Sequence, residues 1–591
     1  MILQALADYY DRSGELAAPG WEYKRIPYVI EITNDGRFVQ LTSLRFGPKT
    51  SDVTPSLVPQ SESRSGTKSY ESPNLLWDHT GFVLGHPKSD SVADHRMAAL
   101  QLTHFKQRLA DFSKQVPHSL ALLAVHRFYE MGEDARVKDS TNWADCVAIK
   151  GCNVTFRLAS SNELAVHEVE VRAAIDANSD NSPCGSLSVC LVTGEPSPIQ
   201  RLHRPISGVG EKPAPLSAIN NSSFPAFASF GKSQGGNFPV GHQASLKYAT
   251  ALNHLLQPSS KQKIRLSEAV LVFWKQRPDP ELQDDWLAVL MGTDDPNANT
   301  RQVKALYEAV HTGQFAGARG ENRFYVLGLS PNAARIAVRF WHSAPLKHIA
   351  ADMAQWFRDL SIDRAPHHAE YPGLKSLLRA VVLQRKDDNI PPGLGGDVLR
   401  AIVTGGALPP LWLNLAVQRC RAEQDVPYLR AAVIKACLNR SIRQQHLSQQ
   451  EFTAMLDPTN NNPGYLLGRL FAVLEKIQEE SSEKSLNSTI RDRYYGAASS
   501  TPTAVFTTLM RLKNHHLSKL NNKGRVVNFE KLLAEIVGGI SDFPTHMALP
   551  EQGRFAIGYY HQRQAFFKKD EPADGANITA TPNQDPIQQG N

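Results

Sequence analysis

The sequence predicts an α+β protein: a mixed β-hairpin and helix region first, then an all-α C-terminal helical bundle. Two observations carry this expectation. Up to about residue 341, apolar residues repeatedly alternate with polar ones between turn signals, as half-buried strands do. After about Ser343 the alternation stops and apolar positions fall three and four residues apart, the spacing of one helix face. At 591 residues, 41% hydrophobic and 21% charged, the chain has an ordinary globular composition, which excludes collagen-like, coiled-coil and wholly disordered classes.

The elements follow in order. Ile2, Leu3, Leu6, Tyr9 and Tyr10 define a short amphipathic opening helix, expected to dock on the next element. From Tyr23 to Leu44 the chain alternates around Asn34-Asp35-Gly36, where Asp-Gly supplies the positive φ a tight hairpin needs. A long polar connection rich in Ser, Thr and Pro runs over about 44–75. Connections of this length are functional or disordered. A helix is expected at about His95 to Lys114, strand-like stretches to about Thr193, and irregular Pro/Gly/Ser-rich structure over Gly185 to Gly241. Ala244 to Leu256 has helical spacing and Ala269 to Trp274 reads as a buried strand. Phe324 to Leu329 and Arg335 to Trp341 read as a second hairpin joined through Ser330-Pro331-Asn332.

In the helical part, Leu467, Leu470, Phe471, Leu474 and Ile477 form an apolar stripe opposite Arg469, Glu475, Lys476 and Glu479. Thr501-Pro502 suits an N-cap and first turn, and Asn528 reads as the cap of a helix that Gly538-Gly539 ends. The expected organisation is 1–343 as an α+β domain, 344–454 as a helical connecting region, 455–569 as the bundle and 570–591 as a disordered tail poor in large apolar residues.

Six cysteines (Cys146, Cys152, Cys184, Cys190, Cys420 and Cys437) are too few for a disulfide scaffold and fit a reducing cytoplasm. Acidic Asp8 and Asp11 stand where a signal peptide needs basic residues. With no run of 18 apolar residues and a mean hydropathy of −0.34, no membrane span is expected. The net charge of +6 permits polyanion binding without specifying it, so the distribution of charge decides.

Local catalytic signatures are missing. Ala226 to Ser233 ends like a phosphate-binding loop but has Ala where the first Gly belongs, and the following Gly-Gly-Asn-Phe-Pro cannot continue as the required helix. The pairs Cys146/Cys152 and Cys184/Cys190 are spaced too widely for a zinc knuckle, so buried thiols are the plainer reading. Adjacent His367-His368 and His515-His516 point different ways from a helix and do not chelate one ion. No metal and no cofactor are expected.

Basic residues, by contrast, gather. On the strand ending the second hairpin, Arg335, Ala337, Arg339 and Trp341 share one face and Ile336, Val338 and Phe340 the other. A basic face with an aromatic suits a phosphate track beside a stacking platform, although a solvated sheet face has the same sequence. From Lys484 to Lys531 there are nine Lys or Arg against two acids, a local charge of +7. Arg511, His515 and Lys519 fall at four-residue steps, with Lys513 beside them. Such a stripe holds nucleic-acid backbone without sequence preference, or is simply solvated.

The chain resembles the large subunit of the type I-C CRISPR interference complex (type I-C Cascade). The motifs that carry the resemblance include Ser72-Pro73-Asn74-Leu75-Leu76-Trp77-Asp78, Cys190-Leu191-Val192-Thr193-Gly194-Glu195 and Gly328 to Arg335. Toward the C-terminal end they are Tyr465-Leu466-Leu467-Gly468-Arg469-Leu470-Phe471, Tyr494 to Ser499 and Gly558-Tyr559-Tyr560-His561-Gln562-Arg563.

The resemblance implies a non-catalytic subunit that reads a short protospacer-adjacent motif in duplex DNA, while guide pairing reads the target. Implied partners are the guide RNA, the target double-stranded DNA, repeated backbone subunits, a guide-processing subunit, small subunits, and a helicase-nuclease recruited in trans. On this resemblance Lys68 and Asn74 are the expected readers of the adjacent motif, with Lys49, Arg64 and Ser69 less secure because loop 44–71 departs most from the family pattern. Arg335, Arg339, Arg511, Lys513 and Lys519 are expected on nucleic-acid backbone. The family also implies a free small subunit made from an internal start, for which Met455 is the candidate. The competing reading is a metal-dependent nuclease with dispersed active-site residues.

Overall fold

The computed structural model describes residues 1–567 apart from 15, 50–51, 63, 65–67, 181–186, 219–231, 233, 280–285, 293–295, 312–319, 334, 447–450 and 483–487. The architecture is α+β, with small sheets in the N-terminal part and helices after the last strand, Arg335–Pro345. The chain divides into two compact units, Met1–Pro258 with Ala334–Ile336, and Ser259–Ala333 with Ala337–Asn591. The change of pattern near Ser343 thus marks the end of the strands, whereas the division into units falls earlier.

In the first unit the opening helix, Ile2–Arg12, buries Leu6 and Tyr9. It packs on the His242–Leu255 helix, far along the chain, rather than on the element that follows it. The expected hairpin is present, with Tyr28–Ile32 antiparallel to Phe38–Ser43. Gly36 has φ +88°, and a Cβ there would lie 2.7 Å from backbone atoms of Ala124 and Phe128, so both conformation and space require glycine.

The four-stranded sheet runs in the order Phe38–Ser43, Tyr28–Ile32, Asn153–Leu158, Trp77–His79, and its central pair is parallel. Helices Val92–Ser113 and Leu120–Glu130 cover it, with Phe105, Leu109, Val125 and Phe128 packing in one core with Val29, Val154 and Phe156. Ser91 and Ser119 cap these helices through hydrogen bonds from Asp94 N and Leu122 N.

The stretch expected as strands up to Thr193 contains helices Leu120–Glu130, Trp143–Ala148 and Val169–Asp180 as well as one strand of the sheet. Leu120-Ala-Leu-Leu-Ala-Val is apolar on every side, so its periodicity does not separate buried helix from buried strand. Among the described residues of 185–241 are the short ribbons Leu187–Val189 with Pro196–Pro198 and Pro205–Ile206 with Ala214–Pro215, and the 3₁₀ turn Gln234–Asn237. The phosphate-loop-like Ala226 to Ser233 lies outside the described residues except for Lys232, as do Cys184 and the 570–591 tail. Cys146 and Cys152 are free, buried and 3.6 Å apart at sulfur. Burial pushes the thiols of Cys420 and Cys437 up to about 12.

In the second unit the sheet order is Lys263–Leu266, Ala269–Lys275, Arg323–Asn332, Arg335–Pro345. Every residue of Ala269–Lys275 is buried, as the sequence predicts. The hairpin turns at Ala333, φ +50°, so Ser330-Pro331-Asn332 finishes a strand instead of making the turn.

One continuous core extends from Ile264 through the helices to Tyr560. Its central helix, Pro463–Glu480, crosses Leu549–Ala565 closely, because a Cβ on Gly468 would meet Phe555 O at 2.0 Å and one on Gly558 would meet Tyr465 O at 2.0 Å. Of the four polar positions opposite the apolar stripe, Arg469 and Glu475 are buried and Lys476 and Glu479 are half-buried. Arg469 bonds Gln562 and Glu535, and Glu475 accepts from Tyr559 Oη at 2.6 Å with Arg491 at 3.6 Å. Buried charges persist only where such partners exist. Thr501 stands at its expected cap position, but its hydroxyl donates back to Ala497 O at 3.2 Å instead of capping the helix, and Pro502 occupies the first turn. Asn522, not Asn528, caps the next helix, Lys523–Gly538, accepting from Arg525 N at 3.1 Å; Asn528 lies inside it.

Candidate nucleic-acid interface

Three places carry the predicted contact residues. The first is the polar connection of the first unit, and it is anchored at many points. Ser56–Pro59 pairs antiparallel with Trp21–Lys24, and Trp77 Nε1 donates to Pro59 O at 2.7 Å. Asp78, 1% exposed, is the hub. It accepts from Asn74 N at 2.9 Å, from His79 N at 2.8 Å and from Arg64 Nη1 at 3.0 Å, with Arg64 Nη2 on its other oxygen. The Arg64 guanidinium also lies over the Phe82 ring at 4.1 Å and donates to Ser72 O at 2.7 Å. Leu76 is buried at φ +60°, a strained conformation for a bulky residue, and its carbonyl accepts from Thr155 Oγ1 at 2.9 Å.

Two of the five expected contact residues, Asn74 and Arg64, are therefore engaged internally. The Asn74 carboxamide oxygen, 4% exposed as a residue, accepts from Glu62 N at 2.9 Å. Arg64 is bound bidentately by Asp78. The lysines differ. Lys49 is exposed on a turn in which Asp52 accepts its N–H at 3.0 Å, and Lys68 is exposed with Nζ 3.6 Å from Glu71. Ser69 opens the single 3₁₀ turn Ser69–Glu71. Sequence reasoning missed Asp78 as the organiser, because an acidic residue inside a basic-ligand loop signals only through its burial.

The second place is the hairpin of Arg323–Asn332 and Arg335–Pro345. Arg335 is exposed and has no ion pair among the described residues. Arg339 donates from Nε to Ser330 Oγ at 2.6 Å and has Glu268 at 3.8 Å. Trp341 is stacked on Tyr325, 5.4 Å between centroids and 13° between planes, and lies 5.6 Å from Trp274. The expected division into a core face and a basic face is only partial, since Val338 on the apolar side is 44% exposed. Phe340 alone on that side closes over the backbone, at Gly328.

The third place is the helical end. Pro502–Leu517 and Lys523–Gly538 both pack on Pro463–Glu480. Of the nine cations between 484 and 531, Lys484 lies outside the described residues. Arg491 is paired with Asp425 at 3.2 Å and Arg525 with Glu480 at 2.7 Å. Arg493, Arg511, Lys513, Lys519, Lys523 and Lys531 have no carboxylate within ion-pair distance among the described residues. Arg511 and His515 do share an exposed helical face, but the helix ends at Leu517, so Lys519 continues from the following turn rather than from the same face. Lys523 and Arg525 stand in a first turn that holds no acid, where the helix dipole disfavours cations. Burial, then the charges of His515 and Lys519, hold the His516 imidazole below its ordinary range.

Met455 is 56% exposed, in the connection before the central helix. Just upstream, Phe452 N donates to Asn439 Oδ1 at 2.7 Å and Asn439 Nδ2 to Phe452 O at 2.8 Å. Among the described residues no group of three or more His, Cys, Asp or Glu is placed to hold a metal ion. Among the same residues no helix is long and apolar enough to cross a membrane.

The fold and these surfaces define an α+β protein that carries, among the described residues, six cations without a carboxylate partner between 493 and 531. Residues 6–567 match the family described as CRISPR-associated protein (Cas_Csd1), and the chain belongs to that family, the large subunit of type I-C Cascade. It is thus a component of a CRISPR complex that works with RNA and DNA. A comparison with curated proteins finds no match.

Proposed function

We propose that this chain is the non-catalytic large subunit that reads the adjacent motif in duplex DNA and supports the R-loop. Its partners are the guide RNA, backbone and small subunits, and a helicase-nuclease acting in trans. The motif is met by loop 44–75, with Lys68 and Lys49 reaching the DNA and Arg64, Ser69 and Asn74 shaping the loop around Asp78. Arg335, Arg339, Arg511, Lys513 and Lys519 act on backbone phosphates. The observation that carries the reading is the set of six cations between 493 and 531 without a carboxylate partner among the described residues, in a chain of this family. Arg491 and Arg525 in the same stretch are instead engaged by Asp425 and Glu480.

The test uses the complex assembled on guide RNA. The triple variant Arg511→Glu, Lys513→Glu, Lys519→Glu is expected to lower target-DNA affinity at least ~10-fold. It should also reduce the slope of log affinity against log salt by about 2–3, roughly one for each phosphate no longer neutralised, with assembly unchanged. An unchanged salt slope would assign these cations to solvent. Incubated with Mg²⁺ or Mn²⁺, the isolated chain leaves DNA intact; intrinsic cleavage would favour the nuclease reading.

The same proposal includes a small subunit translated from Met455. In the full chain, Gly553 of Leu549–Ala565 lies against Ile434, Leu413 and Leu438, all upstream of that start. A fragment from Met455 therefore leaves this apolar surface without its intrachain cover, which gives it a reason to reside in an assembly. Immunoblotting of a C-terminally tagged chain should show a short species that disappears when codon 455 is changed to Leu. Persistence of that species, or its absence from the unmodified gene, rejects the start site.

A further inference from the structure

Away from the basic helices, the second unit contains a cleft of a different character. Two adjoining cavities of about 320 Å³ and 390 Å³ share His367 and His368 in their walls. This is the size of a small-molecule site. The first is lined by Tyr371, Tyr428 and Arg385 together with the two histidines. The second is lined by Thr300, Lys304, Arg364 and Glu370.

The rings form a ladder from the interior outward. Buried Tyr428 stacks on His368 at 5.0 Å and 17°, and His368 lies 4.2 Å from exposed His367. Tyr428 is fixed by its hydroxyl, which donates to Ala369 O at 2.7 Å and lies 3.2 Å from Glu370 O. Burial, then the charges of His367 and Arg364, lower the affinity of His368 for a proton.

The charged groups are unbalanced. Three cations, Lys304, Arg364 and Arg385, face one carboxylate, Glu370, which lies 3.6 Å from Arg364. Lys304 and Arg385 have no carboxylate within ion-pair distance among the described residues. An aromatic ladder beside an excess of positive charge is complementary to a ligand with a flat ring at one end and an anion at the other. Bases stack on such rings regardless of sequence, and Arg or Lys takes the phosphate.

We propose that the cleft at His367 and His368 is a nucleotide-binding pocket, with the base on the ring ladder and the phosphate at Lys304 and Arg364. The nucleotide is either free or an unstacked residue of a single strand. The second source rests on the proposed nucleic-acid role of the chain; the first does not.

The experiment follows 2-aminopurine fluorescence, which stacking quenches, on the full chain. One arm titrates 2-aminopurine deoxyriboside monophosphate and the other a single-stranded oligodeoxynucleotide carrying one 2-aminopurine. Quenching is expected in at least one arm. His367→Ala with His368→Ala should weaken it by about 5-fold or more, the loss of one stacked base, and Lys304→Ala by about 3-fold or more. A response to the monophosphate assigns a free nucleotide, and a response to the oligonucleotide alone assigns a strand.

Because both histidines and Lys304 are exposed, the variants should melt like the parent. Lys304→Ala lies outside the ladder and keeps the test open if the double variant does not fold. Quenching absent from both arms, or unchanged in every folded variant, overturns the pocket. Displacement by inorganic phosphate with no effect of the ring substitutions overturns it equally, since the cleft would then be a site for anions alone. Loss of oligonucleotide binding in the Arg511, Lys513, Lys519 variant, with the monophosphate arm intact, would separate the pocket from the backbone track.

Discussion

Asp359→Ala is expected to destabilise the second unit by about 3–5 kcal/mol, the usual result of removing one partner from a buried ion pair. Asp359 is 1% exposed at the end of Leu346–Leu360, and its carboxylate is shared by two guanidiniums on Tyr428–Gln444. Arg440 Nε lies 3.1 Å from one oxygen, and Arg443 Nη2 lies 2.6 and 2.7 Å from the two. Gln355 donates to the same group at 2.9 Å. Lys435, also buried, donates to the Asp359 carbonyl at 3.0 Å, and burial pulls its ammonium down to about 8.

The alanine variant thus leaves a buried Arg440 with no anion and an already disfavoured lysine beside it. For a unit of this size the loss corresponds to a melting temperature lower by roughly 4–7 °C, measurable by calorimetry. Asp359→Leu combined with Arg440→Met should recover part of it, because the stranded charge leaves with its partner. A single variant that melts like the parent would show that the pair contributes little.

This network also shows where the sequence was legible and where it was not. The hairpin at Asn34-Asp35-Gly36, the buried strand Ala269–Lys275 and the helical spacing beyond residue 345 were visible because each has a period and a stop signal. Arg469, Glu475 and Arg440 were not readable as interior residues, because a charge in a helical pattern signals solvent unless its partner is known. Those partners lie about 60 to 100 residues away in the chain. The helix Leu120–Glu130 was missed for the opposite reason, having too little polarity to show a period.

At the candidate interface, the excess of cations over 484–531 was legible from composition. Which of them are free was not, because that depends on Asp425 and Glu480 arriving from other elements. The same limit separates Lys68 from Asn74. Both are short-range candidates in sequence, yet one is exposed and the other is enclosed by the turn it belongs to.

That distinction yields the largest expected effect on DNA. Asp78→Ala should abolish binding of target duplex by the assembled complex, a loss of ~100-fold or more, although Asp78 touches no nucleic acid in the proposed mode. It removes the acceptor for Arg64, for Asn74 N and for His79 N in one step. The buried turn then keeps unpaired donors, each costing about 1–3 kcal/mol. The cheapest relief is for the loop to leave its place, taking Lys68 with it.

Asn74→Ala should act in the same manner but less strongly, because only the Glu62 amide loses its acceptor. Lys68→Ala and Lys49→Ala should behave differently, weakening binding by about 10-fold each through lost charge and flattening the salt dependence, with the loop intact. Limited proteolysis distinguishes the two mechanisms. New cleavage between 60 and 75 is expected in the Asp78 and Asn74 variants and not in the lysine variants. If Asp78→Ala binds duplex like the parent, loop 44–75 is not what meets DNA. If Asn74→Ala abolishes binding with no change in proteolysis, Asn74 contacts a base directly, and its bond to Glu62 must open when DNA arrives.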